Sequence, residues 1–261
     1  MGLAKDDFDD LRYAKTLLEN PSLAAKISNL LGTPIEKGLE HLPAKWKGAV
    51  QKATEKSLEK ALSFAIKTMN DRTKPASSDK THKILVLATG AGGGSFGLPA
   101  LTIELPVTTT IMLRSIADIA RSEGERINLL ETKIACLEVF ALGGPSKRDD
   151  GAETGYFIVR AALARTISEA TKYIAEKGLA REGAPALVKF IATLASRFGI
   201  IVSEKVAAQA IPLIGAAGGA LINTIFIDHF QNMARGHFII RRLERRYGED
   251  LIRQEYEKLN L

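Results

Sequence analysis

The sequence predicts an all-α fold: a single multi-helix domain with glycine-rich apolar helices and an N-terminal helical extension. Three observations lead there. Apolar residues recur at three- and four-residue spacing along almost the whole chain, the period of a helix with one buried face. Strict alternation of apolar and polar residues is nowhere sustained, and the only strand-like run is residues 83–87. Alanine, leucine, lysine and glutamate dominate, all good helix formers. With 261 residues, 46% hydrophobic and 25% charged, the chain can bury a substantial core.

The elements follow in order. Acidic residues from Asp6 to Asp10 suit the first turn of a helix, and Asn20, Pro21 and Ser22 break the pattern. Thr33 and Pro34 read as an N-cap followed by proline at the first helical position. The most regular helix then carries a stripe of Leu42, Trp46, Val50, Ala53, Ser57, Ala61, Phe64 and Thr68, with lysines and glutamates opposite. Such a stripe either packs on the rest of the protein or lies in a membrane interface. Residues 71–80 are the best linker, which divides the chain into an extension, 1–80, and a helical domain, 81–261. Further helices are expected at 105–121, 127–142, 153–175, 186–198, 200–211 and 213–246, with loops at 143–151 and 178–185.

Two stretches carry no charge, residues 84–103 and 206–227. At about 1.5 Å rise per residue each is near the roughly 20 residues a helix needs to cross a bilayer. Both are rich in glycine: Gly92, Gly93, Gly94 and Gly97 in the first, Gly215, Gly218 and Gly219 in the second. Glycine is costly in an isolated helix, so its density implies close packing of backbones, in lipid or in a tight core. Basic clusters flank both stretches: ten lysines between Lys37 and Lys83, and Arg241, Arg242, Arg245 and Arg246 near the end. With a net charge of +6 the chain suits an acidic partner, such as anionic membrane lipid. A solvated helix face interleaved with glutamates fits the same clusters. Nucleic acid is disfavoured by the 6% aromatic content, which leaves little for base stacking.

Catalytic motifs are absent or out of context. Gly92, Gly94 and Gly97 match the dinucleotide fingerprint, but Pro99 and Pro106 follow and no second strand appears. Gly93, Ser95 and Gly97 match a nucleophile elbow, with Asp228 and His229 downstream, yet the elbow needs a parallel sheet. There is no P-loop lysine, H-E-x-x-H or C-x-x-C, so no cofactor or metal is implied. The single Cys136 sits in an apolar run and reads as a core residue of a reducing compartment, and no signal-peptide layout opens the chain. Ionisable and polar residues punctuate the apolar faces. Arg114, Asp118, Glu138, Glu153, Arg160 and Asn223 read as a structural polar network, since buried charges pair. The functional alternative is a carboxylate site drawn from Glu104, Glu131 and Glu204, with His229 or His237 as general base.

The run Glu104-Leu-Pro-Val-Thr-Thr-Thr-Ile-Met-Leu-Arg-Ser-Ile-Ala-Asp118, the turn Ala152-Glu-Thr-Gly-Tyr-Phe157, Val202-Ser-Glu-Lys205, and the stretch from Ile211 through Gly215, Gly219, Asn223 and His229 to Arg235-Gly-His-Phe238 resemble the EcsC protein family. The resemblance covers roughly residues 84–256. The family is named from an operon that also encodes an ABC exporter, which implies a role at membranes. The expectation is therefore an accessory protein at the cytoplasmic face of a membrane, peripheral or hairpin-inserted. It would bind lipid or a membrane protein without catalysis, with room for an oligomer. The alternative is a peptidase-like hydrolase using the carboxylates with His229 or His237.

Overall fold

The computed structural model describes residues 2–19, 23–31, 44–69, 97–144, 155–179, 184–209 and 215–259. Among these every regular element is helical: α1 (Lys5–Leu18), α2 (Leu23–Leu31), α3 (Ala44–Thr68), α4 (Gly97–Ser122), α5 (Leu130–Glu138) with a 3-10 turn (Val139–Ala141), α6 (Gly155–Lys177), α7 (Pro185–Gln209), α8 (Gly215–Tyr247) and α9 (Glu249–Lys258). The all-α class holds. Glu153, Ser95, Gly92, Gly93, Gly94, the linker at 71–80, the strand-like run and the Thr33-Pro34 cap lie outside the described residues.

The 33-residue α8 is the axis of the fold. It meets α1, α2, α4, α7 and α9, while α3 lies against α4, α5 and α7, and α6 packs on α5 and α7. A quartet of phenylalanines sits where α7, α8 and the 3-10 turn converge. Phe140 lies 5.0 Å from Phe198 and 5.4 Å from Phe230, and Phe230 lies 5.2 Å from Phe226. Tilted and edge-on pairs of this kind contribute about 0.5–1.5 kcal/mol each beyond their buried area.

One hydrophobic core takes in the three described helices of the first eighty residues, from Leu11 and Ala14 to Leu62 and Ala65. They are built into the body, not appended to it. The α3 stripe is part of this core: Val50, Ala53, Ser57 and Ala61 are buried, and Trp46 and Phe64 pack against it. Packing, the first of the two uses the stripe allowed, is the one observed. Cys136 is fully buried, as expected, and burial pushes its thiol up.

Several boundaries differ from expectation. α4 starts at Gly97 and runs through Pro106, which removes a single backbone donor. α7 does not break near Gly199. A Cβ there would meet Gln51 Oε1 at 3.3 Å, so the glycine serves a close approach of α3 and α7 rather than a helix end. The uncharged stretch 206–227 is divided between the end of α7 and the start of α8. Among the described helices the one long and apolar enough to cross a membrane is Pro185–Gln209, and half of its most apolar window is buried in the protein. Gly178 ends α6 in the left-handed region, with φ 64°, as its place at the head of an expected loop suggests.

Among the described glycines within helices, the closest approach is at Gly236, between α1 and α8. A Cβ on Gly236 would lie 2.6 Å from Leu18 Cγ and 3.1 Å from the Ala14 carbonyl. Gly236→Ala should therefore destabilise the fold by about 1–3 kcal/mol, as overpacking does. Urea unfolding of Gly236→Ala with and without Leu18→Ala checks this: trimming Leu18 should recover part of the loss.

Candidate functional site

Three polar assemblies interrupt the apolar interior. The first lies where one uncharged stretch ends and the other begins. Lys205, on the last turns of α7, is fully buried and donates from Nζ to Glu104 Oε1 at 2.8 Å. Asn223 on α8 approaches the same oxygen with Nδ2 at 3.4 Å, and its own Oδ1 is buried without a hydrogen bond. The Lys205 ammonium also stands 4.9 Å over the Phe226 ring. Burial pulls the Lys205 pKa down, opposed by the Glu104 carboxylate. Glu104 is the first charge after 84–103, and Lys205 the last before 206–227. Their pairing sets the roots of the two uncharged stretches side by side. Ile103 (74% exposed), Val107 and Leu221 present large apolar side chains to solvent beside it.

The second assembly joins α5, α6 and α8. Tyr156 and His237 share a hydrogen bond through Nδ1 at 2.9 Å, and the opposite ring atom, Nε2, faces Glu138 Oε2 at 3.9 Å. His237 is fully buried and its Nε2 has no hydrogen-bond partner. Arg160 clamps Glu244 with two bonds, at 2.6 and 3.1 Å, and stacks its guanidinium 5.5 Å over the Tyr156 ring. Burial raises the Glu138 carboxyl to about 7, with Arg160 and Arg241 acting against it. Burial, with the same two arginines, holds His237 well below the ordinary histidine range.

The third is ionic and lies toward the far end of α8, where each arginine of the expected basic flank has a carboxylate. Arg241 donates to Glu125 at 2.9 Å, and Arg245 pairs with the same carboxylate. Arg242 meets Asp10 at 2.6 Å and Glu123 at 3.2 Å. Arg246 and the Tyr247 hydroxyl both donate to Asp7, at 2.7 and 2.6 Å. The Tyr247 hydrogen bond, aided by Arg246, lowers the Asp7 pKa despite its burial. Burial works to raise Glu125, but Arg241 and Arg245 overcome it and hold the carboxyl low.

The residues expected to share a carboxylate–histidine site are dispersed. Glu104 is committed to Lys205, Glu204 accepts the Ala24 backbone N–H at 3.2 Å, and Glu131 is exposed on α5. His229 stands apart from His237, packed under the turn at Gly143. A Cβ on that glycine, whose φ is 73°, would lie 2.6 Å from His229 Nε2 and 2.7 Å from Met233 Sδ. Both ring nitrogens of His229 are buried without partners, and burial with Lys26 nearby lowers its pKa to about 3. The expected polar network likewise divides. Glu138 and Arg160 join the second assembly and Asn223 the first, while Asp118 pairs with Arg121 at 2.8 Å and Arg114 lies 5.0 Å over Phe64. Gly97 and Gly215 open α4 and α8, Gly218 lies in the first turn of α8, and Gly219 is buried there.

Sequence spacing did not single out Lys205 as a partner of Glu104. The trace it leaves is positional: each residue borders an uncharged stretch. The carboxylate partners of the arginines carried no such signal, because they lie between 116 and 239 residues away.

Removing one member of the buried pair strands the other. Glu104→Gln or Lys205→Met alone should cost about 3–5 kcal/mol in urea unfolding, and the double replacement Glu104→Leu with Lys205→Met should recover most of it. A pH profile follows from His229. Its folded-state pKa lies below the ordinary value of 6.5, so the folded chain binds fewer protons than the unfolded one. The stability this contributes is present above pH 6.5 and falls away as pH drops toward about 3. His229→Leu should flatten that acid limb in urea titrations run at stepped pH.

No curated protein and no solved structure shows a significant match to the chain. The model of the EcsC protein family matches residues 15–243, from within α1 to the ionic end of α8, and the chain belongs to that family.

Proposed function

We propose that this protein is a membrane-associated accessory protein that binds lipid or a membrane-protein partner at the cytoplasmic face and has no catalytic role. The observation that carries this reading is the buried Glu104–Lys205 pair. It roots both uncharged glycine-rich stretches at one end of the fold, beside exposed Ile103, Val107 and Leu221. The contact it supports is apolar. The arginines once expected to supply electrostatic attraction are paired with carboxylates about 30 Å along α8 from Leu221, at 1.5 Å rise per residue.

Flotation with liposomes tests the reading. The purified protein should float with neutral and anionic vesicles alike, and binding should survive high salt, since screening weakens only charge attraction. Ile103→Asp, Val107→Asp and Leu221→Asp together should abolish flotation while leaving circular dichroism and the melting temperature of the free protein unchanged. Flotation lost at high salt would assign the binding to lysines instead. Absence of flotation under every condition would place both stretches in the protein's own core and end the membrane reading.

A further inference from the structure

We infer that Tyr156, His237 and Glu138 form a buried proton-binding site, in which one proton gained or lost at Glu138 reverses the tautomer of His237. This does not depend on membrane binding. What carries it is a buried ring nitrogen without a partner. Glu138 is almost entirely buried on α5, with its Oε2 turned toward His237. His237 Nε2 makes no hydrogen bond, and it faces the Glu138 carboxyl at 3.9 Å. Two complementary groups, one able to donate and the other to accept in either direction, are thus enclosed against each other. Closing the gap to an ordinary hydrogen bond takes about 1 Å of side-chain movement. The far side of the ring is anchored, because Tyr156 holds Nδ1 at 2.9 Å.

A tyrosine hydroxyl both donates and accepts, so the anchor survives either tautomer. With Glu138 protonated, its O–H donates to His237 Nε2, and Nδ1–H donates to the Tyr156 oxygen. When the site loses a proton, the Glu138 proton passes to Nε2, the Nδ1 proton leaves to solvent, and the Tyr156 O–H turns to donate to Nδ1. Imidazole stays neutral throughout, and Nε2–H then faces the carboxylate. The Glu138 O–H and the Nδ1–H bonds break, the Nε2–H bond forms, and one proton leaves in net.

The surroundings fit a carboxyl that gains and loses its proton near neutrality. Burial raises Glu138 to about 7. The charges that face it are Arg160 from α6 and Arg241 and Glu244 from α8. Both arginines are already held elsewhere, Arg160 by Glu244 and Arg241 by Glu125. Neither is free to lock Glu138 permanently in the ionised form. The ionised state would compete with those pairs and so alter the contact of α8 with α6 and with the turn before α5.

The test is long-range proton–nitrogen correlation NMR on the full-length protein labelled with nitrogen-15, stepped from pH 5 to 9. His237 should change from the Nδ1–H to the Nε2–H tautomer with a midpoint near neutrality, without becoming doubly protonated. His229 should show no change in that range. In Glu138→Gln the transition should vanish, and in Tyr156→Phe it should persist with a shifted midpoint. Infrared difference spectra should show a protonated carboxyl band lost over the same range in the wild type and absent from Glu138→Gln, which tests the site even where one variant folds poorly. A single unchanging His237 tautomer across the range, or a transition that survives Glu138→Gln, would overturn the proposal.

Discussion

The contact between Glu104, Lys205 and Asn223 constrains everything around it. It joins three helices whose surroundings are mostly apolar side chains, whose attraction is non-directional. On such surfaces a helix slipped by one turn loses little. A buried ion pair is poor at adding stability, because desolvating both charges offsets most of their attraction. It is good at forbidding alternatives, since a slip by one turn leaves a charge stranded in an apolar interior. The cost is accepted where register matters most, among the parts of α4, α7 and α8 that carry the described uncharged residues.

The same device recurs along α4 and α8, which run side by side in one direction. Glu104 faces Asn223, Ser115 accepts from Gln231 at 2.8 Å, and Glu125 accepts from Arg241 at 2.9 Å. The crossings grade from a single buried pair at one end to an extended ionic lattice at the other. There Asp7, Asp10, Glu123 and Glu125 neutralise the arginines of α8. The lattice explains why α1 belongs to the body: its acidic face meets those arginines while its apolar face closes on Gly236. Along α8 an apolar end and an ionic end therefore stand apart.

Helix type was legible from periodicity because each helix buries one stripe, and that of α3 reaches the core from Trp46 to Phe64, while Thr68 is exposed. What stayed hidden depended on partners far away in sequence. Gly199 reads equally as a helix end and as a site of close approach, and only Gln51 and Thr54 on α3 decide which. The arginine cluster reads as a membrane flank until the carboxylates of α1 and of the turn after α4 are placed against it. Glu131 and Glu138 fall on one face by spacing, yet one is exposed and the other buried, because α6 and α8 close over only the second. The groupings follow tertiary contact: Glu104 stands with Asn223 and Lys205, and Glu138 and Arg160, grouped in the expected network, stand with His237.

Chain length limits how this apolar pole can meet a bilayer. α7 ends at Gln209 and α8 begins at Gly215, so five residues connect them. Fully extended, five residues reach at most about 18 Å, too short to enter and leave a hydrocarbon layer about 30 Å thick. The uncharged residues preceding α4, 84–96, number thirteen. As a helix they would extend about 20 Å, again less than the layer. A crossing would therefore require α7 and α8 to withdraw from the core, breaking the Glu104–Lys205 pair and exposing the phenylalanine quartet. Penetration of one leaflet requires neither. With the fold intact, the membrane contact proposed for this pole is shallow, its depth set by side chains such as Ile103 and Leu221 rather than by a spanning helix.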